Sequence, residues 1–476
     1  MPFISRFFWT AICLALMMGR ANAAVKGVFA HYMVGAMPNL SQVLLDVTQA
    51  QQTGIDAFAL NVQHPDAQWT LDSLALLFAA ASQVADFKLF FSMDMSVIPH
   101  PSAFVPLFQR YASHPVYYRY AGRPFLSTFR GGATWYGSMR PNTAWQAQMK
   151  TLLGLAAGSS GNMKEEPFFV PDFEDWAGKG TNSPYTADFF AQYPVVDGVM
   201  AWETAWPAPG SVNNVSSEHD AISLNAARAA GGKVFMMPVS TFQSKHLDNG
   251  GNNWYRRGGL TLPFRMAQVL ELQPDFVQLL SWNDAGEGHY FGNIWAEGIT
   301  GEMREMVDGY DHSAWRGLFA VFVAALKKGV VDVREMVPAS RSGSGYMDFA
   351  GAFWYRPLLK DAGCSVDKFR LGKPDNWETA EDGVYAAVIL PPEVKTGSGV
   401  SIKVWSGGSV VAKFPGTPGL NIHQVADIRK GRQVVQLVLD TDGSILGEGE
   451  GLVDVTDSIT GTEGICNFNY QVVEIV

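Results

Sequence analysis

Between residues 25 and 326 the chain alternates short apolar runs with longer segments whose apolar residues recur at helical spacing. The runs 25–32, 55–61, 87–93, 123–129, 167–170, 196–202, 233–239 and 276–282 are rich in β-branched and aromatic residues and short enough to be single strands. They read as continuous apolar segments, the pattern of strands covered on both faces. Helices are predicted over 40–52, 71–86, 102–114, 145–154, 221–231 and 262–272. Strands and helices in this order predict an α/β fold, with a closed (β/α)8 TIM barrel favoured over an open sheet.

After Leu326-Lys327-Lys328-Gly329 the pattern changes. Arg341-Ser342-Gly343-Ser344-Gly345 predicts a loop near a join. From Gly351 onward short alternating runs (385–390, 400–405, 434–439 and 470–476) are separated by turn signals such as Asp382-Gly383 and Asp442-Gly443. That is the pattern of a β-sandwich. At the other end Arg6, an apolar stretch from Phe7 to Met18 and Ala21-Asn22-Ala23 before Ala24 match a secretory signal with a small-residue cleavage site. The apolar stretch is too short to span a bilayer easily. The predicted organisation is a signal peptide over 1–23, a catalytic barrel over 24–330, and a C-terminal β-sandwich over 331–476. The sandwich is either a structural cap or a carbohydrate-binding module. The expected location is outside the cell or in a cell wall, and the expected state is a soluble monomer.

Composition narrows the partners. The net charge is -10, and no Lys/Arg cluster stands out, which argues against nucleic acid and anionic membrane. Charged residues make up only 17% while aromatics reach 12% with 14 Trp, a balance suited to neutral polar ligands with apolar faces, sugars above all. Trp serves equally as core filler. With Cys13 in the signal, Cys364 and Cys466 remain, either as one disulfide or as two isolated thiols.

A barrel gathers its chemistry at the C-terminal ends of its strands. His31, Asn61, Asp94, Asp172, Glu174, Trp202, Glu203 and Trp206 stand at or just past such ends, and the strand interiors hold almost nothing ionisable. The stretch Phe276-Val277-Gln278-Leu279-Leu280-Ser281-Trp282-Asn283-Asp284-Ala285-Gly286-Glu287-Gly288-His289-Tyr290 concentrates the signal. Its glycines disfavour a helix and predict a tight loop after the last strand. Paired acids held there suit glycoside hydrolysis, one protonating the leaving oxygen and the other activating water or attacking. A solvated acidic turn is the alternative, but Trp282, His289 and Tyr290 beside it favour a site. Trp176, Trp202, Trp206, Trp282 and Tyr290 are candidate platforms for sugar faces, with core packing the alternative for each. His31, Asn61, Asp94, Asp172, Asn283 and His289 are candidate partners for hydroxyls; the alternative is capping or loop fixing for Asn61, Asp94 and Asp172, and a satisfied core histidine for His31. No metal or other cofactor is expected, because the histidines and carboxylates lack a recognisable ligand spacing.

Several ordered motifs then resemble one family. They are Val28-Phe29-Ala30-His31-Tyr32-Met33-Val34-Gly35, Gly54-Ile55-Asp56-Ala57-Phe58-Ala59-Leu60-Asn61, Phe87-Lys88-Leu89-Phe90-Phe91-Ser92-Met93-Asp94 and Met236-Met237-Pro238-Val239-Ser240. Leu272-Gln273-Pro274-Asp275-Phe276 and the closing Trp282-Asn283-Asp284-x-Gly286-Glu287-x-His289-Tyr290 complete the set. The chain resembles glycoside hydrolase family 71, the fungal endo-α-1,3-glucanases or mutanases. The resemblance implies a (β/α) barrel joined to a β-sandwich, an α-glucan substrate, and hydrolysis with inversion by the pair Asp284 and Glu287. It further implies an acid after the second strand, for which Asp66 is the local candidate. The expected roles are Glu287 as acid and Asp284 as base; inversion needs their carboxyls roughly 6.5–9.5 Å apart to admit water, and acids three positions apart on a turn can splay that far or converge. Two other readings remain open: another barrel glycosidase, such as an endo-α-mannosidase-like enzyme, and a wall polysaccharide-binding protein without turnover.

Overall fold

The computed structural model describes residues 27–35, 39–134, 136–158, 166–178, 182–247, 252–339, 347–364, 367–394, 399–459 and 464–476. The signal stretch 1–23 and the loop 341–345 lie outside the described residues. The first part of the chain is a run of parallel strands with helices between them. The strands are β1 (Gly27–Met33), β2 (Ala57–Val62), β3 (Lys88–Asp94), β4 (Arg123–Phe129), β5 (Phe168–Phe169), β6 (Gly198–Met200), β7 (Val234–Ser240) and β8 (Phe276–Leu280). The helices are α1 (Leu40–Gln52), α2 (Gln68–Ala81), α3 (Val105–Tyr111), α4 (Pro141–Gly158), α5 (Ala187–Gln192), α6 (Glu218–Ala229), α7 (Thr261–Leu272), α8 (Gly301–Val307) and α9 (Trp315–Lys327).

The parallel sheet is curled: β5 pairs with β4, β4 with β3, and so on through β2 and β1 to β8, β7 and β6. Its ends approach where Asp172, just past β5, bridges Met200 of β6 in parallel sense. Most strand residues are buried, as a sheet covered on both faces requires. Inside the curl, Phe29 packs against Phe90, Phe125 and Phe276 with ring centroids 4.8–5.7 Å apart.

Most sequence-predicted boundaries shift by a few residues. Helix α1 matches its predicted span, because the Asn39 side chain accepts the Gln42 N–H and fixes the start. The predicted helix 102–114 divides into a 3-10 turn (Pro101–Phe104) and α3. Pro106 has no N–H to donate and is tolerated only in a first turn, so the helix restarts there. A hairpin, Gln243–Leu247 paired with Asn252–Arg256, is inserted after β7, where no element was predicted.

Beyond α9 the chain forms two four-stranded antiparallel sheets. One holds Ala350–Tyr355, Val384–Leu390, Gly419–Val425 and Gln471–Glu474; the other holds Val400–Ser406, Ser409–Pro415, Gln433–Leu439 and Ile445–Glu450. The first sheet works on both faces, as strand alternation dictates. Phe353, Tyr355, Ala386, Val388 and Leu390 join a cluster with Ile402, Val404, Val435 and Leu437 of the second sheet. Their alternates Ala352, Trp354, Tyr385, Ala387 and Ile389 belong to the large core of the α/β part. Trp354 Nε1 donates to Gly259 O (2.8 Å) and Tyr255 Oη meets Tyr470 Oη (3.1 Å), so the two parts share buried polar contacts as well. Cys364 and Cys466 are disulfide-bonded, their Cα atoms 5.6 Å apart across 102 residues of sequence. Among the described residues no helix is long and apolar enough to cross a membrane.

Candidate active site

The loop after β8 is closed by its own ends. Ser281 N–H donates to His289 O (2.6 Å), and Phe291 N–H returns to Ser281 O (3.2 Å). Ser281 Oγ accepts from Asp284 N (2.8 Å), and Asp284 Oδ1 accepts from Glu287 N (3.1 Å), which turns the chain back within a few residues. Gly288 has φ +71°, and a Cβ there would lie 3.2 Å from both Phe242 and the Ser244 carbonyl, so the close approach to the hairpin needs glycine. The loop therefore presents Asp284, Glu287 and His289 together.

His289 is fully buried, with Nε2 3.7 Å from Asp284 Oδ2 and 3.5 Å from Glu287 Oε2. Asp284 and Glu287 stay 14% and 29% exposed, open to an incoming ligand. Glu287 is gripped from the hairpin by Gln243 Nε2 (2.6 Å) and, more loosely, by Lys245 Nζ (3.5 Å). The two acids are pushed apart in acidity. Burial raises Asp284, and the Glu287 charge adds to that, against the opposing pull of His289. Burial pushes Glu287 up as well, but His289, Lys245 and Gln243 outweigh it and hold the carboxyl down at about 2. Burial lowers His289, but the two carboxylates overcome it and raise the imidazole above its ordinary value. One carboxyl keeps a proton more readily and one stays charged, the split that acid–base work on a glycosidic bond uses.

Ligand atoms of Asp284, Glu287 and His289 lie within 4.8 Å of one another, and these three are the residues here that could hold a metal ion. That proximity is also shorter than the carboxyl separation of roughly 6.5–9.5 Å that inversion uses. The free-state electrostatics likewise run opposite to the expected roles, with Asp284 the better proton donor.

The other predicted residues divide. His31 is buried, its Nδ1 3.2 Å from Gln278 Nε2, and burial with the neighbouring His289 charge lowers it to about 3, so it stays neutral beside the pair. The Trp202 ring stands edge-on to His31 (4.7 Å) and the Trp206 ring lies 5.1 Å from His289, forming one wall of the site. Arg256, ion-paired with Glu203 at 2.6 Å, lies over Trp206. Asn61 is buried, and among the described residues its Oδ1 has no hydrogen-bond partner; Gln278 Oε1, Gln243 Oε1, Trp206 Nε1 and Arg256 Nη1 share that condition. Buried polar atoms without partners mark places for water or ligand groups. Asp94 receives Gln63 Nε2 (3.3 Å) and Ser96, and Gln63 reaches a cleft of about 240 Å3 that Asp284, Asn283, Trp69 and Trp295 also line.

Several expectations need correction. The Trp282 ring is fully buried against Phe58 and Phe291, and Gly292 lies so close that a Cβ there would sit 2.3 Å from the indole, so no sugar face reaches it. Tyr290 is buried too, stacked on His312 at 4.0 Å with its hydroxyl donating to Tyr310 O (2.5 Å); it braces the joint with the C-terminal sheets. The Asn283 amide is taken up by both backbone groups of Met33 (2.8 and 3.2 Å), tying the loop to β1. Asp172 is buried and accepts the N–H groups of Arg130 and Glu174 (3.1 Å each). Trp176 packs edge-on to Phe189 at 5.5 Å. Asp66 is exposed in the turn before α2, outside the lining of the acid cleft. The residues that sequence reading missed are Gln243, Lys245 and Arg256. Their signal was present: the turn-forming Asp248-Asn249-Gly250-Gly251 between two polar-alternating stretches is a hairpin cue.

The profile of glycosyl hydrolase family 71 matches residues 24–476. A glucan endo-1,3-alpha-glucosidase of Schizosaccharomyces pombe is 31% identical over 451 residues, 94% of each chain. A mutanase of Penicillium rubens is 28% identical over 443 residues, covering 91% of this chain and 86% of its own. An ascus wall endo-1,3-alpha-glucanase of Schizosaccharomyces pombe is 28% identical over 369 residues, 75% of this chain and 77% of its own.

Proposed function

This chain belongs to glycosyl hydrolase family 71, and on that premise we propose that it hydrolyses the α-1,3 linkages of an α-glucan. The observation that carries the reading is the oppositely shifted pair Asp284 and Glu287 about the buried His289 at the end of β8. Asp284, whose carboxyl burial favours as neutral, protonates the leaving oxygen. Glu287, held charged by His289 and Lys245, deprotonates the attacking water. The bond from the anomeric carbon to the leaving oxygen breaks as the water oxygen adds to that carbon. The proton lost by water stays on Glu287, and Asp284 becomes the carboxylate. Single displacement with inversion is the outcome the family resemblance implies. Double displacement with retention is a second reading, favoured by the 4.8 Å proximity of the site atoms. Proton NMR of the first anomer released distinguishes them.

The framework we assign to this chemistry is a closed (β/α)8 barrel over 24–330 with a β-sandwich over 331–476. The Asp172–Met200 bridge supports closure, and the cluster between the two four-stranded sheets supports the sandwich. Residues 1–23 serve as the secretory signal, and the mature monomer acts outside the cell or in the wall, in keeping with the ascus wall relative. Incubation with α-1,3-glucan, β-1,3-glucan, starch and mannan tests the substrate. Reducing ends are expected from α-1,3-glucan alone, and preferential release from mannan contradicts the reading. An activated aryl leaving group tests the roles. It should spare Asp284→Asn but not Glu287→Gln, since only the acid becomes dispensable.

A further inference from the structure

A second cleft, of about 630 Å3, shares a wall with the acid cleft. Asn293, Ile294, Trp295 and Ile299 line both. Its other walls come from the turn between α8 and α9, which carries Tyr310, from Glu474 in a C-terminal strand, and from Leu452 in the bend after the strand Ile445–Glu450. The acid cleft alone, at about 240 Å3, falls below the roughly 300–1,000 Å3 usual for ligand pockets, whereas its neighbour falls within that range. A polymer-cleaving site must grip more of its substrate than the small cleft encloses.

The lining chooses the chemistry of the occupant. It carries Asp308, Asp311, Glu450 and Glu474, of which Asp308 and Glu450 are ion-paired with Arg304 and Arg432, and among the described residues no Lys, Arg or His lines it, which disfavours an anionic ligand. Trp295 and Tyr310 offer rings, and Leu452 stands 82% exposed at the rim. Ring faces beside carboxylate acceptors suit a neutral polyhydroxyl chain. The walls are also held in place. His312 bridges Tyr290 O and Tyr470 O (3.1 Å each), and Asn469 Nδ2 donates to Tyr290 Oη (3.2 Å), so the C-terminal sheet is pinned to the loop that bears the acids. We infer that this cleft is a second sugar-binding station, which takes the units of the α-glucan chain lying beyond those at Asp284. The C-terminal sheets then form part of the substrate groove.

The inference rests on the proposed function, and the test separates the two. Retention on insoluble α-1,3-glucan is measured for Asp284→Asn, with and without Tyr310→Ala. In the otherwise active chain, KM on the polymer is compared with kcat on a short α-1,3-linked oligosaccharide that fills only the acid cleft. Tyr310→Ala should weaken retention and raise polymer KM about fivefold, the loss of one ring contact, while short-substrate kcat is unchanged. Leu452→Arg, at an exposed position that leaves folding intact, should act in the same direction by obstructing the rim. Hydrolysis with neither variant affecting the polymer, or with equal loss on polymer and oligosaccharide, overturns the second station alone. Tyr310-dependent retention without any hydrolysis by the active chain overturns the proposed function alone.

Discussion

At the end of β8, Asp284 and Glu287 stand partly open to solvent around a buried imidazole; at the end of β5, Asp172 and Glu174 are both buried. The second pair is occupied by backbone. Asp172 takes the N–H groups of Arg130 and Glu174, and Glu174 takes those of Trp202 and Glu203. Burial raises both members of that pair, against the backbone donors, and the charge of Asp172 adds to it at Glu174 while those of Asp175 and Glu203 add to it at Asp172. At β8, His289 and Lys245 oppose burial at both members but outweigh it only at Glu287, where Gln243 adds a hydrogen bond, so the two carboxyls diverge. A carboxylate at a strand end is thus not by itself catalytic. Backbone donors turn it into a turn-building element, whereas a titrating partner and an opening to solvent turn it into an acid–base pair.

The comparison breaks most visibly through activity. Glu287→Gln and Asp284→Asn should each lower kcat on α-1,3-glucan by about 10³-fold, within the range for losing a general acid or base. Asp172→Asn leaves one of the two N–H groups facing an NH2 and so costs stability, yet kcat should stay within about threefold of the parent, since this carboxyl is spent on its own loop; an equal collapse erases the distinction. Lys245→Met comes next. It removes a charge that holds Glu287 down, so the acid limb of the kcat/KM profile should move to higher pH, with little change at neutral pH where Glu287 stays charged.

Stability against pH gives opposite signs for one member of each pair, Asp172 and Glu287. Asp172 is raised to about 7 in the folded chain, against about 3.9 in an unfolded one. Its contribution is complete below about pH 4 and declines as pH rises towards 7. Glu287 is held down at about 2, so its contribution is complete above about pH 4.5 and is lost as pH falls towards 2. Urea midpoints across pH should show Asp172→Asn removing the first slope and Glu287→Gln the second. The smallest effect is expected at Trp202, whose ring walls the site. Trp202→Ala should raise KM severalfold more than it lowers kcat, and a loss confined to kcat contradicts a binding role.

The reasons for what was legible in the sequence are local. Strands β1 to β4, β7 and β8 announce themselves as apolar runs, and the glycines after β8 mark where a strand must stop and turn. Strands β5 and β6 shrink to Phe168–Phe169 and Gly198–Met200, because Asp172 and Glu174 divert the chain into side-chain-to-backbone bonds that no periodicity encodes. The pair Asp284 and Glu287 was legible as a motif, but its tuning was not, since Gln243 and Lys245 arrive from a hairpin that folds back over the loop. Ring candidates fared according to which face they present. Trp202 and Trp206 reach the site, while Trp282 and Tyr290, adjacent in sequence to the acids, point into packing.

The rate at which the doubly neutralised Asp284→Asn/Glu287→Gln chain releases reducing ends from α-1,3-glucan probes the account at its centre. No release above the uncatalysed background is expected, from a chain that still melts cooperatively near the parent's temperature. Cleavage at a rate comparable to the parent's contradicts it.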